Sequence, residues 1–357
     1  MLIRHVLRGI AFILILFATQ TVATAAERDV VLTPVPVVQP RRMGMALPSG
    51  KVEVPIAMSK DWTTPQVGVT RAIIVIHGWP RRDLGAGEHA AKVAGPAALA
   101  TIVITPQFVT AKDVAAHQLP SNTLRWGENA WQKGEPSDDE TATSSFQVVD
   151  EIFRHLADRS IFPNLHMIVL AGHSAGGQFV QRYAAVGRGE AKFAAPIQVR
   201  YVVANPASYL YFTSDRPNAH GSGFVKTNSG SCPLSNTWPY SVQSGVPGYA
   251  LPLLPVADLA KRYLHRDVVY LLGAADNDPK SDGSDLTCAG EAEGATRLTR
   301  GLAYNAYVHM LDPSTKQRVV EVLGVGHKSY AMYASTCGLS VLFDEPGCEP
   351  VSSVSSK

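Results

Sequence analysis

Seven apolar, β-rich runs recur along the chain: KVEVPIAM (51–58), RAIIVIHG (71–78), TIVITPQF (101–108), HMIVLAG (166–172), VRYVVANP (199–206), DVVYLLGA (267–274) and RVVEVLGV (318–325). Most are apolar without alternation, the pattern of strands buried on both faces of a sheet. Between several of them the apolar positions recur at helical spacing, as in Phe146 to Leu156 and Phe179 to Val186. Strands alternating with helices predict an α/β fold with a mostly parallel central sheet and helices on both faces. Two intervals, 109–145 and 207–262, exceed the length of simple crossovers. The second reads as a lid-like insertion, because long connections in compact domains carry lids or binding loops. Their aromatic residues argue for order: Trp126, Trp131, Tyr209, Tyr211, Phe212, Trp238 and Tyr240 either pack these loops or line a pocket. Of these, Trp238, Tyr209 and Tyr211 are the expected substrate contacts.

Composition changes the picture at the chain's start. Arg4 and Arg8 precede an apolar run from Gly9 to Ala18, and Ala23-Thr24-Ala25 supplies small residues for cleavage after Ala25 or Ala26. Residues 1–26 therefore read as a signal peptide, too short in its apolar run for a comfortable membrane span. An extended proline-rich arm (27–50), a domain over 51–345 and a serine-rich tail (346–357) follow. The 32 basic and 30 acidic residues of the 357-residue chain become 30 and 30 once the two signal arginines are removed. A near-neutral mature protein gives no electrostatic argument for nucleic acid as a partner. No stable membrane insertion is expected after cleavage, and oligomeric state stays open.

Four cysteines, Cys232, Cys288, Cys337 and Cys348, suit two disulfides in an exported protein. Of the three possible connectivities, Cys337 with Cys348 closes a short loop and is favoured, which leaves Cys232 with Cys288. No cysteine and histidine spacing suggests zinc, and no cofactor is expected.

The stretch MIVLAGHSAGGQFVQRY (167–183) runs an apolar strand through a single serine, flanked by Gly172 and Gly176, into a helical pattern. A serine at such a corner stands above the sheet edge at the positive end of a helix, where a nucleophile is useful. Ser174 needs a base and the base needs a partner. His327 follows the last strong strand directly. The acid belongs in the loop after the preceding strand, which offers Asp276, Asp278, Asp282 and Asp285. Asp276, nearest the strand end, is the expected acid and Asp278 the alternative; a solvated loop or a calcium loop is the competing reading. Backbone N–H groups of Ala175 and Trp79 are the candidate oxyanion hole. His77 reads as a structural histidine that shapes the Trp79 loop.

The ordered set HGWP, GHSAG, GAAD and GVGH, spread over roughly residues 50–340, resembles the α/β-hydrolase superfamily. HGWP by itself resembles epoxide hydrolases and haloalkane dehalogenases, but those place an aspartate where this chain has Ser174. The segments RWGENAWQKG, NPASYLYF and CPLSNTWPYS are similar to a secreted, serine esterase- and lipase-like group of bacterial and fungal α/β-hydrolases of mostly unassigned substrate. The resemblance implies acyl transfer by a Ser-His-Asp triad. The leading expectation is a secreted serine hydrolase for small or polymeric carboxylic esters. An amidase or peptidase acting on a polyamide uses the same residues, and a non-catalytic binding protein on this fold is the third alternative.

Overall fold

A computed structural model describes residues 33–193, 196–218, 221, 223–227, 230–253 and 255–348. The expected signal peptide (1–26), the first residues of the arm and the tail beyond 348 lie outside the described residues.

The seven apolar runs form β2 (Gly50–Met58), β3 (Arg71–Ile76), β4 (Thr101–Pro106), β5 (Met167–His173), β6 (Gln198–Ala204), β9 (Asp267–Gly273) and β10 (Arg318–Val322). The sequence pattern did not separate three further strands. β1 (Arg42–Leu47) lies in the proline-rich arm, and the short pair β7 (Asp215–Pro217) and β8 (Phe224–Lys226) lies in the second insertion. β1 pairs antiparallel with β2, so the arm's end belongs to the sheet. The eight-stranded order is β1-β2-β4-β3-β5-β6-β9-β10. Every pairing from β4 to β10 is parallel.

The helices are α1 (Ala86–Ala94), α2 (Ala111–Ala116), α3 (Ser145–Leu156), α4 (Ala175–Val186), α5 (Val256–Leu264), α6 (Cys288–Glu291), α7 (Arg297–Leu311), α8 (Ser329–Ala334) and α9 (Thr336–Phe343). Period-2 alternation on the sheet divides the core in two. Ala72, Ile74 and Ile76 of β3 join Ile168 and Leu170 of β5 against α3 and α4. Ile73 and Val75 join Val169 and Ala171 against α1, α8 and α9. A strand that is apolar at every position is required wherever both faces are covered, which is why these runs do not alternate. Ser144 starts α3 with a capping box, its hydroxyl accepting from the helix while Gln147 reaches back to the Ser144 N–H.

β3 connects outward to β4, whereas β5 proceeds to β6 on the opposite side. The crevice outside the carboxyl ends of β3 and β5 is therefore the topological switch point, the position where open α/β sheets bind ligands. The arm closes over one side of this edge. Val35 N–H donates to Asp113 Oδ1 at 2.8 Å, and Asp113 also pairs with the buried Arg81 at 3.1 Å.

Two disulfides join Cys232 to Cys288 and Cys337 to Cys348, with Cα atoms 5.8 and 4.6 Å apart. The first fastens the second insertion to the segment after β9 across 56 residues. Closing a loop of that length removes about 4 kcal/mol of chain entropy from the unfolded state. The double variant Cys232→Ser/Cys288→Ser should lose about 2–4 kcal/mol in denaturant titration; an unchanged midpoint would show that the bridge adds nothing to stability.

Candidate active site

The strand-to-helix corner is built by contact. Ser174 has φ 59° and ψ −122°, a region that a residue with a Cβ enters at a cost of about 1–3 kcal/mol. The surroundings leave no alternative path. A Cβ on Gly172 would lie 2.1 Å from the Gly176 carbonyl oxygen, and one on Gly176 would lie 2.2 Å from that of Ile76. Strand, helix and the neighbouring strand thus touch backbone to backbone, and the Ser174 N–H donates to Ala204 O at 2.9 Å. The half-buried serine stands at the start of α4. Ala175, the first residue of that helix, carries an N–H without an intrahelical acceptor.

The loop after β3 lies against this corner. A Cβ at Gly78 would sit 4.0 Å from that of Ser174, and Trp79 lines the same cavity as Ser174 and Ala175. His77 fixes the loop. Its Nδ1 meets Gly78 O at 2.8 Å, and its Nε2 accepts from Phe108 N–H at 3.0 Å. Complete burial lowers its pKa to about 4, so this imidazole is neutral and structural.

β9 and β10 are adjacent and parallel, and their following loops bring Asp276 to His327. Asp276 Oδ2 and His327 Nδ1 are 2.7 Å apart. Asp276 is 3% exposed, whereas Asp278 is exposed and binds its own loop through Lys280 N–H at 2.9 Å. Asp285 accepts from Tyr240 Oη at 2.7 Å, farther along the loop. Burial is the main cause holding the His327 pKa below its ordinary value; Arg297 pushes the same way and the bond to Asp276 opposes both. The imidazole is therefore neutral at pH 7, as a proton acceptor must be. Its ring packs on His173, the residue before the serine, with centroids 4.5 Å apart.

Three supports here escaped the sequence reading. Arg297 Nη1 lies 3.5 Å from Asp276 Oδ1 and donates to Ser281 Oγ at 2.5 Å. Asn205, at φ 42° just past β6, accepts from Gly273 N–H at 2.8 Å and donates to Gly326 O at 3.4 Å. It ties the acid's strand to the histidine's loop. Arg182 is 1% exposed and donates to Gln178 Oε1, Ser208 Oγ, Pro239 O and Gln132 O at 3.1–3.3 Å. A signal for Arg182 was present: Ser174, Gln178 and Arg182 recur every four residues along one helix face.

The expected substrate contacts need correction. Tyr209 and Tyr211 are fully buried and pack on Tyr304 of α7 at 4.6 and 5.0 Å. They belong to the core, because α7 and β9 supply tyrosines that complete an aromatic cluster inside the insertion. Trp126 and Trp131 are likewise buried, around Phe108. Trp238 is 9% exposed, and its indole N–H donates to Lys133 O at 2.9 Å. It stands behind the cavity wall, to which its neighbours Pro239 and Tyr240 contribute directly.

No family model matches the chain, and no curated protein matches it. Solved structures do. LpqC, a poly(3-hydroxybutyrate) depolymerase from Bordetella parapertussis, aligns with TM-score 0.58 at 18% identity, over 86% of this chain and 91% of that one. Poly(aspartic acid) hydrolase-1 from Sphingomonas sp. KT-1 aligns with TM-score 0.54 at 19% identity, over 83% and 96%. The chain has the α/β-hydrolase fold. In that fold a serine on the strand-to-helix corner, with acid and histidine on later loops, follows the chain order serine, acid, histidine, the order found here.

Removal of the Arg297 charge should make the His327 imidazolium easier to form. In Arg297→Gln the His327 ring should titrate at higher pH than in the wild type, followed by NMR of the ring protons; a shift to lower pH would contradict the charge argument.

Proposed function

We propose that this α/β-hydrolase chain is a secreted serine hydrolase that cleaves carboxylic esters through an acyl-enzyme. The observation that carries the reading is the 2.7 Å pair between buried Asp276 and His327, on loops that converge at the corner holding Ser174. Ser174 Oγ attacks the ester carbonyl carbon while its proton passes to His327 Nε2. The N–H groups of Ala175 and Trp79 receive the carbonyl oxygen as it gains negative charge. The intermediate collapses, the carbon–oxygen bond to the alcohol breaks, and His327 returns the proton to the departing oxygen. Water then repeats the sequence on the acyl-enzyme, giving the carboxylic acid and restoring Ser174. Asp276 holds the imidazole with Nδ1 protonated, so that Nε2 is free to accept.

Two disulfides support export to an oxidising compartment, and among the described residues no helix is long and apolar enough to cross a membrane. The two aligned structures are named for hydrolysis of polymers, one a polyester and one a poly(amino acid). Polymeric substrates of both kinds therefore belong in the first panel beside p-nitrophenyl esters. Matched ester and amide substrates separate esterase from amidase, and a fluorophosphonate probe separates either from a non-catalytic binding protein.

Ser174→Ala should abolish probe labelling and lower kcat by about 10⁶, as loss of the nucleophile does in a serine protease, with little change in Tm. Retention of most activity would remove Ser174 from the mechanism. Asp276→Asn should lower kcat by about 10⁴, whereas Asp278→Asn should stay near the wild-type rate. The reverse ranking would move the acid to Asp278.

A further inference from the structure

The cavity beside Ser174 has a volume of about 290 Å³, at the lower end of the range for small-molecule sites. Such sites are predominantly apolar. In this one the polar side chains of Asn129, Gln132, Gln178, Ser208, Tyr240 and Asp285, with Lys133, share the wall with Trp79, Ala207 and Pro239. An alkyl chain lodged there would strip water from amides and hydroxyls without replacing its hydrogen bonds.

The wall is also pre-set. Arg182 lies beneath it and donates to four of its residues, Gln132, Gln178, Ser208 and Pro239. These belong to three different loops and to α4, so one guanidinium joins segments far apart in sequence. Gln178 Oε1 accepts from both Arg182 and Ser208 Oγ, each at 3.1 Å. With that oxygen occupied, the orientation of the amide is fixed. Among the described residues no acceptor engages its NH₂ group, and Gln178 is a half-buried residue of the cavity wall. A donor therefore stands open in the cavity one helical turn beyond Ser174.

We propose that this cavity receives a short ester portion carrying a hydrogen-bond acceptor in place of a plain alkyl chain, with the Gln178 NH₂ as donor and Arg182 as the positioning residue. The inference rests on the ester-hydrolase reading above and specifies its substrate class. A site built to hydrogen-bond a substrate group discriminates strongly against analogues that lack the group, because its own polar atoms are then left unpaired.

The test uses the mature protein and matched esters, with rates normalised to the serines labelled by a fluorophosphonate. p-Nitrophenyl butyrate is compared with the 3-hydroxybutyrate, a neutral acceptor, and with the monosuccinate, an anionic one. Butyl acetate is compared with 3-hydroxybutyl acetate, to read the alcohol side. At least one acceptor-bearing ester should exceed its alkyl partner in kcat/KM by about tenfold or more, and the arm that does so identifies the group and the side. Gln178→Met should bring that ratio to within about threefold of unity. Arg182→Lys should reduce it as well, since an ammonium cannot serve four acceptors in the guanidinium's fixed geometry. General damage would lower both esters alike and leave the ratio unchanged, which would remove these residues from the selection. Equal or faster turnover of the alkyl members by the wild type would overturn this inference and leave the ester reading standing. Labelling of Ser174 without turnover of any ester would overturn both.

Discussion

The site depends on one constraint of the backbone, the sharp corner that takes β5 into α4. Its serine occupies a conformation that an L-residue resists, and it is kept there because the chain has no room elsewhere. Gly172 faces Gly176, and Gly176 faces the end of β3, with backbone atoms where side chains would be. The same contacts set α4 against β3 and β5. The helix start, the serine and the loop carrying Trp79 thus converge as one consequence of close packing. The strain at one residue is offset by burial across the sheet on both faces, where neighbouring apolar side chains leave little freedom.

A second device, buried arginine, orders the long connections above the sheet. Arg182 bonds four cavity residues. Arg300 of α7 donates to Gly294 O and Asp285 O, each at 2.8 Å, and to Ala207 O. Arg297 reaches Asp276, Ser281 and the Asp282 carbonyl. Main-chain carbonyls supply most of these acceptors, which suits loops because buried carbonyls there have no ladder to join. A planar group with five donors satisfies several at once. The Cys232–Cys288 bridge acts between the same segments, so the insertion and the loop carrying Asp276 are held covalently as well as by hydrogen bonds.

Glu293 shows the electrostatic consequence of this packing. Fully buried, it accepts from Tyr209 N–H at 2.8 Å, and burial raises its pKa to about 8, against the pull of Arg216 and Arg300. Tyr209 and Tyr211 stand around it as part of the aromatic core. Ala207 and Ser208, which directly precede Tyr209 in the chain, line the cavity, so the aromatic core begins where the cavity wall ends.

The sequence by itself determined whatever depends on neighbours along the chain. The apolar runs gave the sheet's strands and the spacing of Phe146 to Leu156 gave α3, since burial on a fixed periodicity is a local code. The glycines around Ser174 marked the corner, because only a missing Cβ permits that approach. Cysteine spacing favoured the pairs found. β1 stayed hidden because Pro40 and Pro48 bracket it and Gly44 interrupts it, while its partner, β2, supplies the ladder. Proximity to the strand end pointed to Asp276, but only tertiary structure excluded Asp278 as the partner of His327, through the parallel register of β9 and β10 and the Asn205 clamp. It also decided that Tyr209 and Tyr211 are core and that Gln178, Ser208 and Tyr240 are wall. A side chain's polarity says what it can bond, but which partner it meets is set by segments dozens of residues away, brought together only when the core closes.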